Sequence, residues 1–353
     1  MRRFAAIALP LSCLALTAET PWSAEGHVQT DTGWDSNVYR NFAGAANSAL
    51  PGGGAVIGDG FLQVDGDLDV LGRPWAHQRT ELTAELGARW FESQGPEDAA
   101  VGEAQLVHEI GLSRALVLRF DANGKDKWVE NDDRAFANGG AGAALWIGPW
   151  LRTRLELRAG YQAFDYVPDQ DFSEQGPEFS AAFVTRIARK QSLRIDYRLL
   201  PQYYQGAQLL PSGAVAGQRF DWYHVASASY SLQAPFVLSV TYSFTDDSSN
   251  TWGESYLRHR VQLFVGVLLP WDVYLVGSAA LQLTSYPDGL YLSPQLLLLE
   301  DDDDLNEVSL KLSRDFGKGF AVEVRYGYYR NDFAQNGLNY ERQVAYVGVA
   351  WRH

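Results

Sequence analysis

Only one cysteine, Cys13, occurs in the 353 residues, so neither a disulfide framework nor a thiolate metal site is available to the chain. Past the first few residues there is no apolar run near the 18 or so that a spanning helix needs, and mean hydropathy is −0.22. A helical membrane protein is excluded. Positive charge is in deficit, with 29 Lys and Arg against 43 Asp and Glu and a net charge of −14. Nucleic acid, whose phosphates would be repelled, is therefore not an expected partner. Histidine is scarce too: His27, His77, His108, His224, His259 and His353. None stands in a stretch that reads as a long loop, and none forms a nucleophile–base pair with a nearby residue. The expectation is no catalytic residue, no enzyme, no metal and no cofactor. No Pro-rich or Ser-rich linker marks a second domain.

Aromatic residues and glycine, by contrast, are plentiful, at 13% and 33 residues. The N-terminus carries Arg2 and Arg3 followed by the short apolar stretch from Phe4 to Leu16, the pattern of a secretory leader. The reading is a signal peptide over 1–24 and a single barrel over 25–353, with cleavage after Ala18 or Ala24. Cys13 lies inside the leader, and Pro10, three residues before it, fits a lipid-attachment signal poorly.

The stretch from Asn306 to Phe333 sets the fold class. Two alternating arms, Asn306–Phe316 and Phe320–Tyr328, flank the short turn Gly317-Lys318-Gly319. One face collects Val308, Leu310, Leu312, Phe320, Val322, Val324, Tyr326 and Tyr328. The other collects Glu307, Ser309, Lys311, Glu323, Arg325 and Gly327. Arms of about ten residues are long enough to cross a bilayer at a tilt, and the aromatic end of the apolar face suits an interfacial girdle. The pattern recurs along the chain, in segments such as 151–159, 193–197, 236–242, 257–263 and 273–283.

It predicts an all-β, transmembrane, antiparallel up-and-down β-barrel of about 16 strands, with 18 as the alternative. Short turns near 73–75, 113–114, 148–150, 189–191, 234–235, 270–272 and 317–319 fall on the periplasmic side. Longer loops near 42–57, 93–99, 168–175, 205–217, 246–252, 286–304 and 331–337, with a short one at 130–134, fall outside the cell.

Two stretches carry a resemblance. The final strand, 339–353, places Ala345, Val347, Val349 and Trp351 outward and resembles the aromatic-ended terminal strand of bacterial outer-membrane barrels, departing from it in ending on His353. Gly33-Trp34-Asp35-Ser36-Asn37-Val38 resembles the Gly-aromatic-Asp-Ser-Asn-Val stretch that opens barrels of some surface-assembly and polysaccharide-secretion systems. The chain thus resembles the porin and exopolysaccharide-secretion porin type. That resemblance implies outer-membrane lipid and lipopolysaccharide as surroundings, the barrel-insertion machinery as a transient partner, and separate periplasmic polysaccharide-export proteins as working partners.

Charges inside the strands fall on the non-lipid face, as they must, because a charge facing lipid near midplane costs roughly 2–4 kcal/mol. They are sorted by strand. Asp65, Asp67, Asp69, Glu81, Glu85 and Glu109 come early. Arg152, Arg154, Arg158, Arg186, Arg194, Arg198, Arg258 and Arg260 come later, and Arg325 near the end. All fifteen are expected to line a pore. Pairing across strands, Glu156 with Arg194 or Asp196 with Arg154, is the competing use of these charges. No outer loop is evidently long enough to fold inward except 286–304, so a wide lumen is expected. Tyr203, Tyr204, Trp222 and Tyr223 suit either sugar stacking or a girdle, and inward Tyr274 and Tyr329 suit a sliding surface. The acidic run 300–304 lacks the ligand spacing of a calcium loop. Three functions follow: export of a cell-surface polysaccharide, passive diffusion of small hydrophilic solutes, and a plugged structural barrel.

Overall fold

The computed structural model describes residues 22–39, 42–43, 56–75, 77–130, 134–150, 152–233, 235–288, 306–317, 319–333 and 338–352. In chain order the strands are β1 (Trp22–Asp35), the two-residue β2 (Phe42–Ala43), β3 (Asp59–Gly72), β4 (Gln78–Phe91), β5 (Ala99–Ser113), β6 (Leu116–Val129), β7 (Phe136–Trp150), β8 (Thr153–Tyr166) and β9 (Glu174–Ala188). They continue as β10 (Gln191–Leu209), β11 (Val215–Gln233), β12 (Val237–Ser249), β13 (Tyr256–Leu269), β14 (Val273–Ser285), β15 (Asn306–Asp315), β16 (Phe320–Phe333) and β17 (Leu338–Arg352). Each long strand pairs antiparallel with its sequence neighbours, and β1 pairs with both β3 and β17. The sheet therefore closes into an up-and-down barrel of sixteen long strands, which leaves no exposed edge.

Why the sequence folds this way is visible in the pleat. Leu310 and Leu312 on β15 stand opposite Tyr326 and Val324 on β16, while Ser309 and Lys311 stand opposite Gly327 and Arg325. A one-residue slip would turn every charge to the apolar side. The same parity runs round the circle. Leu62, Leu86, Phe120, Leu157, Phe183, Leu281, Val308 and Val349 stand exposed on the outer face, an apolar belt that belongs against lipid. Trp34, Trp90, Trp128 and Trp222 flank it toward one end, and Trp22, Trp75, Trp271 and Trp351 toward the other. His108, His224 and His259 also point outward, whereas His27 on β1 faces the lumen. Each of the outward three meets a hydroxyl, His108 that of Thr80, His224 that of Tyr197 and His259 that of Tyr242.

Both described chain ends and the seven short turns lie at one end of the barrel, with the longer connections at the other. Two details differ from the sequence reading. β1 starts at Trp22, so its first three residues fall within the stretch 1–24 expected as leader. The stretch 205–217, expected as a loop, is mostly ladder, because β10 and β11 each run 19 residues and leave only 210–214 as a turn. Alternation there is blurred by a register shift between Tyr203 and Ala207. Residues 289–305, including the acidic run 300–304, lie outside the described residues.

Candidate pore-lining site

Three strands carry the main constellation. On β8 the sequence is Arg154-Leu-Glu156-Leu-Arg158, and on β10 it is Arg194-Ile-Asp196-Tyr-Arg198. Alternation turns the charged residues of both motifs to the lumen. The register aligns them across β9: Arg154–Val184–Arg194, Glu156–Ala182–Asp196 and Arg158–Ser180–Arg198. The small residues of β9 thus floor a trough, and matched charges on β8 and β10 wall it, about 9–10 Å apart across two strand spacings.

Most of these arginines are engaged. Arg194 reaches Glu156 at 2.8 Å and Asp196 at 3.2 Å. Arg154 pairs with Glu156 and lies over the Trp146 ring at 4.2 Å. Arg158 bridges Asp121 at 2.6 Å and Glu178 at 2.5 Å, while Arg198 lies over Tyr223 at 5.9 Å. The wall is an alternation of cations and acids rather than a block of positive charge. Of the two pairings weighed from sequence, Glu156 with Arg194 forms, whereas Asp196 takes Arg194 in place of Arg154. Arg154 is held on its own side by Glu156 and the Trp146 ring, which leaves Asp196 to its strand neighbour Arg194.

The remaining candidates distribute as follows. Asp65, Asp67, Asp69, Glu81, Glu85 and Glu109 share the lumen face of β3, β4 and β5. Asp67, Glu85 and Glu103 stand directly opposite one another across these strands, and Asp67 also meets His27 at 2.8 Å. Arg186 lies on β9 near the turn end. Arg258 and Arg260 lie on β13, facing Thr284 and Gln282, and Arg325 on β16 lies over Tyr346 at 5.2 Å. Arg152 is the exception. It sits in the β7–β8 turn, not on the wall, with φ 84°. The rule that placed it, alternation, does not extend through a turn.

Sequence reading missed a second feature, at the loop end of the seam between the first and last strands. After Asp35 the chain bulges into the lumen, burying Asn37, Val38 and Tyr39. Arg342 of β17 donates from Nε to both Asp35 carboxylate oxygens at 3.0 Å, and both side chains are almost wholly buried. The Asp35 carboxylate also accepts from Asn37 N at 3.0 Å. Asn37 Nδ2 donates to Glu341 O at 3.0 Å, and Ser36 Oγ accepts from Gln343 N at 2.7 Å. Tyr39 reaches across to Gln94 at 2.6 Å. The Asp-Ser-Asn stretch is thus a latch on the barrel seam. Beneath it lies a cavity of about 250 Å³ against β3–β6, bordered by Val38, Arg89, Phe91, Lys127, Arg134 and Arg342. Residues 36–39 of the first connection turn inward and narrow the lumen at this end, while most of 286–304, the loop expected to be long enough to fold inward, lies outside the described residues.

At the loop end of β10–β13, Arg219 is buried between Asp221 at 2.6 Å and Glu254 at 3.4 Å, and stacks on Tyr204 at 3.9 Å. Burial raises the Glu254 carboxyl, against the pull of Arg219. Tyr204 and Tyr223 face in, while Tyr203 and Trp222 face out, so the aromatic cluster at this loop divides between lumen and girdle.

No protein-family model matches the chain, and no curated protein matches it. Among solved structures it is similar to a bacterial polysaccharide outer membrane secretin, at 12% identity over 94% of this chain and 98% of that one, TM-score 0.46. A triple mutant of the Rh. blastica porin is similar at 11% identity over 94% and 100%, TM-score 0.40. CdiB from Acinetobacter baumannii is similar at 6% identity over 94% and 60%, TM-score 0.48.

Proposed function

We propose that this chain is an outer-membrane channel through which a cell-surface polysaccharide leaves the cell, delivered there by its leader and the insertion machinery and fed by separate periplasmic export proteins. The observation that carries this reading is the trough on β8–β10. Matched charges recur at three successive levels along the lumen, a repeat that suits a chain of repeating units better than a single small solute. Because each cation has an acid nearby, a passing unit can exchange hydrogen bonds with the wall at little net cost, binding weakly enough to move on. Tyr223, Tyr204 and Trp146, with guanidinium groups over their rings, add flat surfaces of the kind that pack on sugar rings.

A second reading, passive diffusion of small hydrophilic solutes, is favoured by the inward bulge at Asn37–Tyr39, which narrows the loop-end mouth. Deleting the gene and complementing it with the parent or with Arg154→Ser/Arg194→Ser decides between them. Surface polysaccharide should fall on deletion, return with the parent, and return only in part with the double variant. Unchanged polysaccharide on deletion, with lost uptake of a small sugar, establishes the diffusion reading instead.

A further inference from the structure

The two mouths carry opposite charge. In the described parts of the loop-end connections between strands, Glu92, Glu97, Asp98, Glu130, Asp169, Asp171, Glu254 and Asp288 stand against Arg134 as the single base, and Arg134 is paired with Glu97. At the turn end the three successive turns β5–β6, β7–β8 and β9–β10 carry Arg114, Arg152, Arg189 and Lys190, all exposed, with no acid in any of them. Positive charge then continues inward. Arg186 and Arg154 are the first lumen-facing side chains on β9 and β8, and Arg154 and Arg119 lie over Trp146 at 4.2 and 5.4 Å.

Arg152 adds an independent sign. It holds φ 84°, a left-handed conformation costing a non-glycine residue about 1–2 kcal/mol. Glycine would adopt it freely, yet a long cation is kept at the rim.

We infer that the turn-side rim between β5 and β10 is the loading site for a polyanionic chain, a polysaccharide with carboxylate groups on successive units. This rests on the channel reading above and adds to it the charge class of the cargo and the direction of travel. Neighbouring turns are about 9–10 Å apart, so the rim spans about 20 Å, more than one small anion can bridge. A folded acidic protein would meet the turns but not Arg186 and Arg154 inside the lumen. An extended polyanion meets both. Attraction at the turn mouth and repulsion at the acidic loop mouth together favour capture from the periplasm and release outside.

The test uses the full barrel in detergent, with polygalacturonate as the charged probe and dextran as the neutral one, in titration calorimetry. Polygalacturonate should bind, more weakly as salt rises, and dextran should not. Arg114→Ser/Arg152→Gly/Arg189→Ser/Lys190→Ser should lose affinity by about tenfold, since each exposed charge contributes little singly and four act together. Arg73→Ser, on the turn beside the acidic wall, should not. Arg189→Ser/Lys190→Ser serves if the quadruple variant does not fold, and should lose part of the affinity. Equal binding by parent and rim variants overturns the loading site, as does rim-dependent binding of folded serum albumin in place of the sugar chain. Bilayer conductance separates the two readings. A conducting barrel with rim-independent binding overturns the loading site alone, and a barrel that never conducts overturns the channel reading while binding still decides the rim.

Discussion

Asp35 and Arg342 show how much one buried pair can hold. They are 307 residues apart in sequence and join the loop ends of the first and last long strands, where closure brings ends of the chain together at an entropic cost. Removing one partner strands the other charge among buried groups, a loss of about 3–5 kcal/mol. Arg342→Met should therefore lower the urea midpoint of the detergent-folded barrel, read as the heat-modifiable gel shift. Asp35→Leu combined with Arg342→Met should recover much of the loss, because no charge is then left unpaired. If the single variant unfolds like the parent, the latch contributes nothing to closure. Gly33, two residues earlier, is under a different constraint. A Cβ there would collide with Ala345 O and stand 2.7 Å from Phe61. Backbone on the neighbouring strand cannot give way cheaply, so Gly33→Ala should weaken the same seam, with a lower yield of folded protein as the measure.

For the elements, the consequence lies in strands β8 to β10. Their matched arginines hold Glu156 and Asp196. Arg154→Ser with Arg194→Ser leaves insertion intact, since neither side chain faces lipid, but leaves both acids without these cations. A unit charge about 10 Å from a permeating ion in water contributes roughly 0.4 kcal/mol, or about a factor of two. The double variant should therefore favour cations severalfold more than the parent, seen as a shifted reversal potential across a salt gradient. An unchanged reversal potential would mean that ions do not pass along this trough.

At the scale of the whole molecule, net charge describes neither mouth. The excess of acid is spread over the loop end and the β3–β5 wall, while the turn end on the opposite side is basic. The orientation of this axis has its own check. Cys13 is the one cysteine of the chain, so in a Cys13→Ser background single cysteines can be placed without interference. Gly213→Cys should react with an impermeant thiol reagent on intact cells, and Arg189→Cys should react only after the outer membrane is opened. Labelling in the reverse order would invert the barrel and the direction of travel with it.

Sequence alone determined the periodic part of this protein: strands, their faces and their number. Alternation forces charge and apolar side chains apart, and closure through antiparallel neighbours needs no long-range information. It therefore placed Arg154, Arg194, Asp65 and Glu85 on one common face. What only the tertiary structure decided is where that periodicity fails or where distant strands meet. The register that levels Arg154 with Arg194 across Val184 depends on two turns and cannot be counted from either motif. The Asp35–Arg342 latch needs ends of the chain brought side by side. The inward bulge at Asn37 and the left-handed Arg152 are local departures that the alternating pattern, by its nature, cannot show.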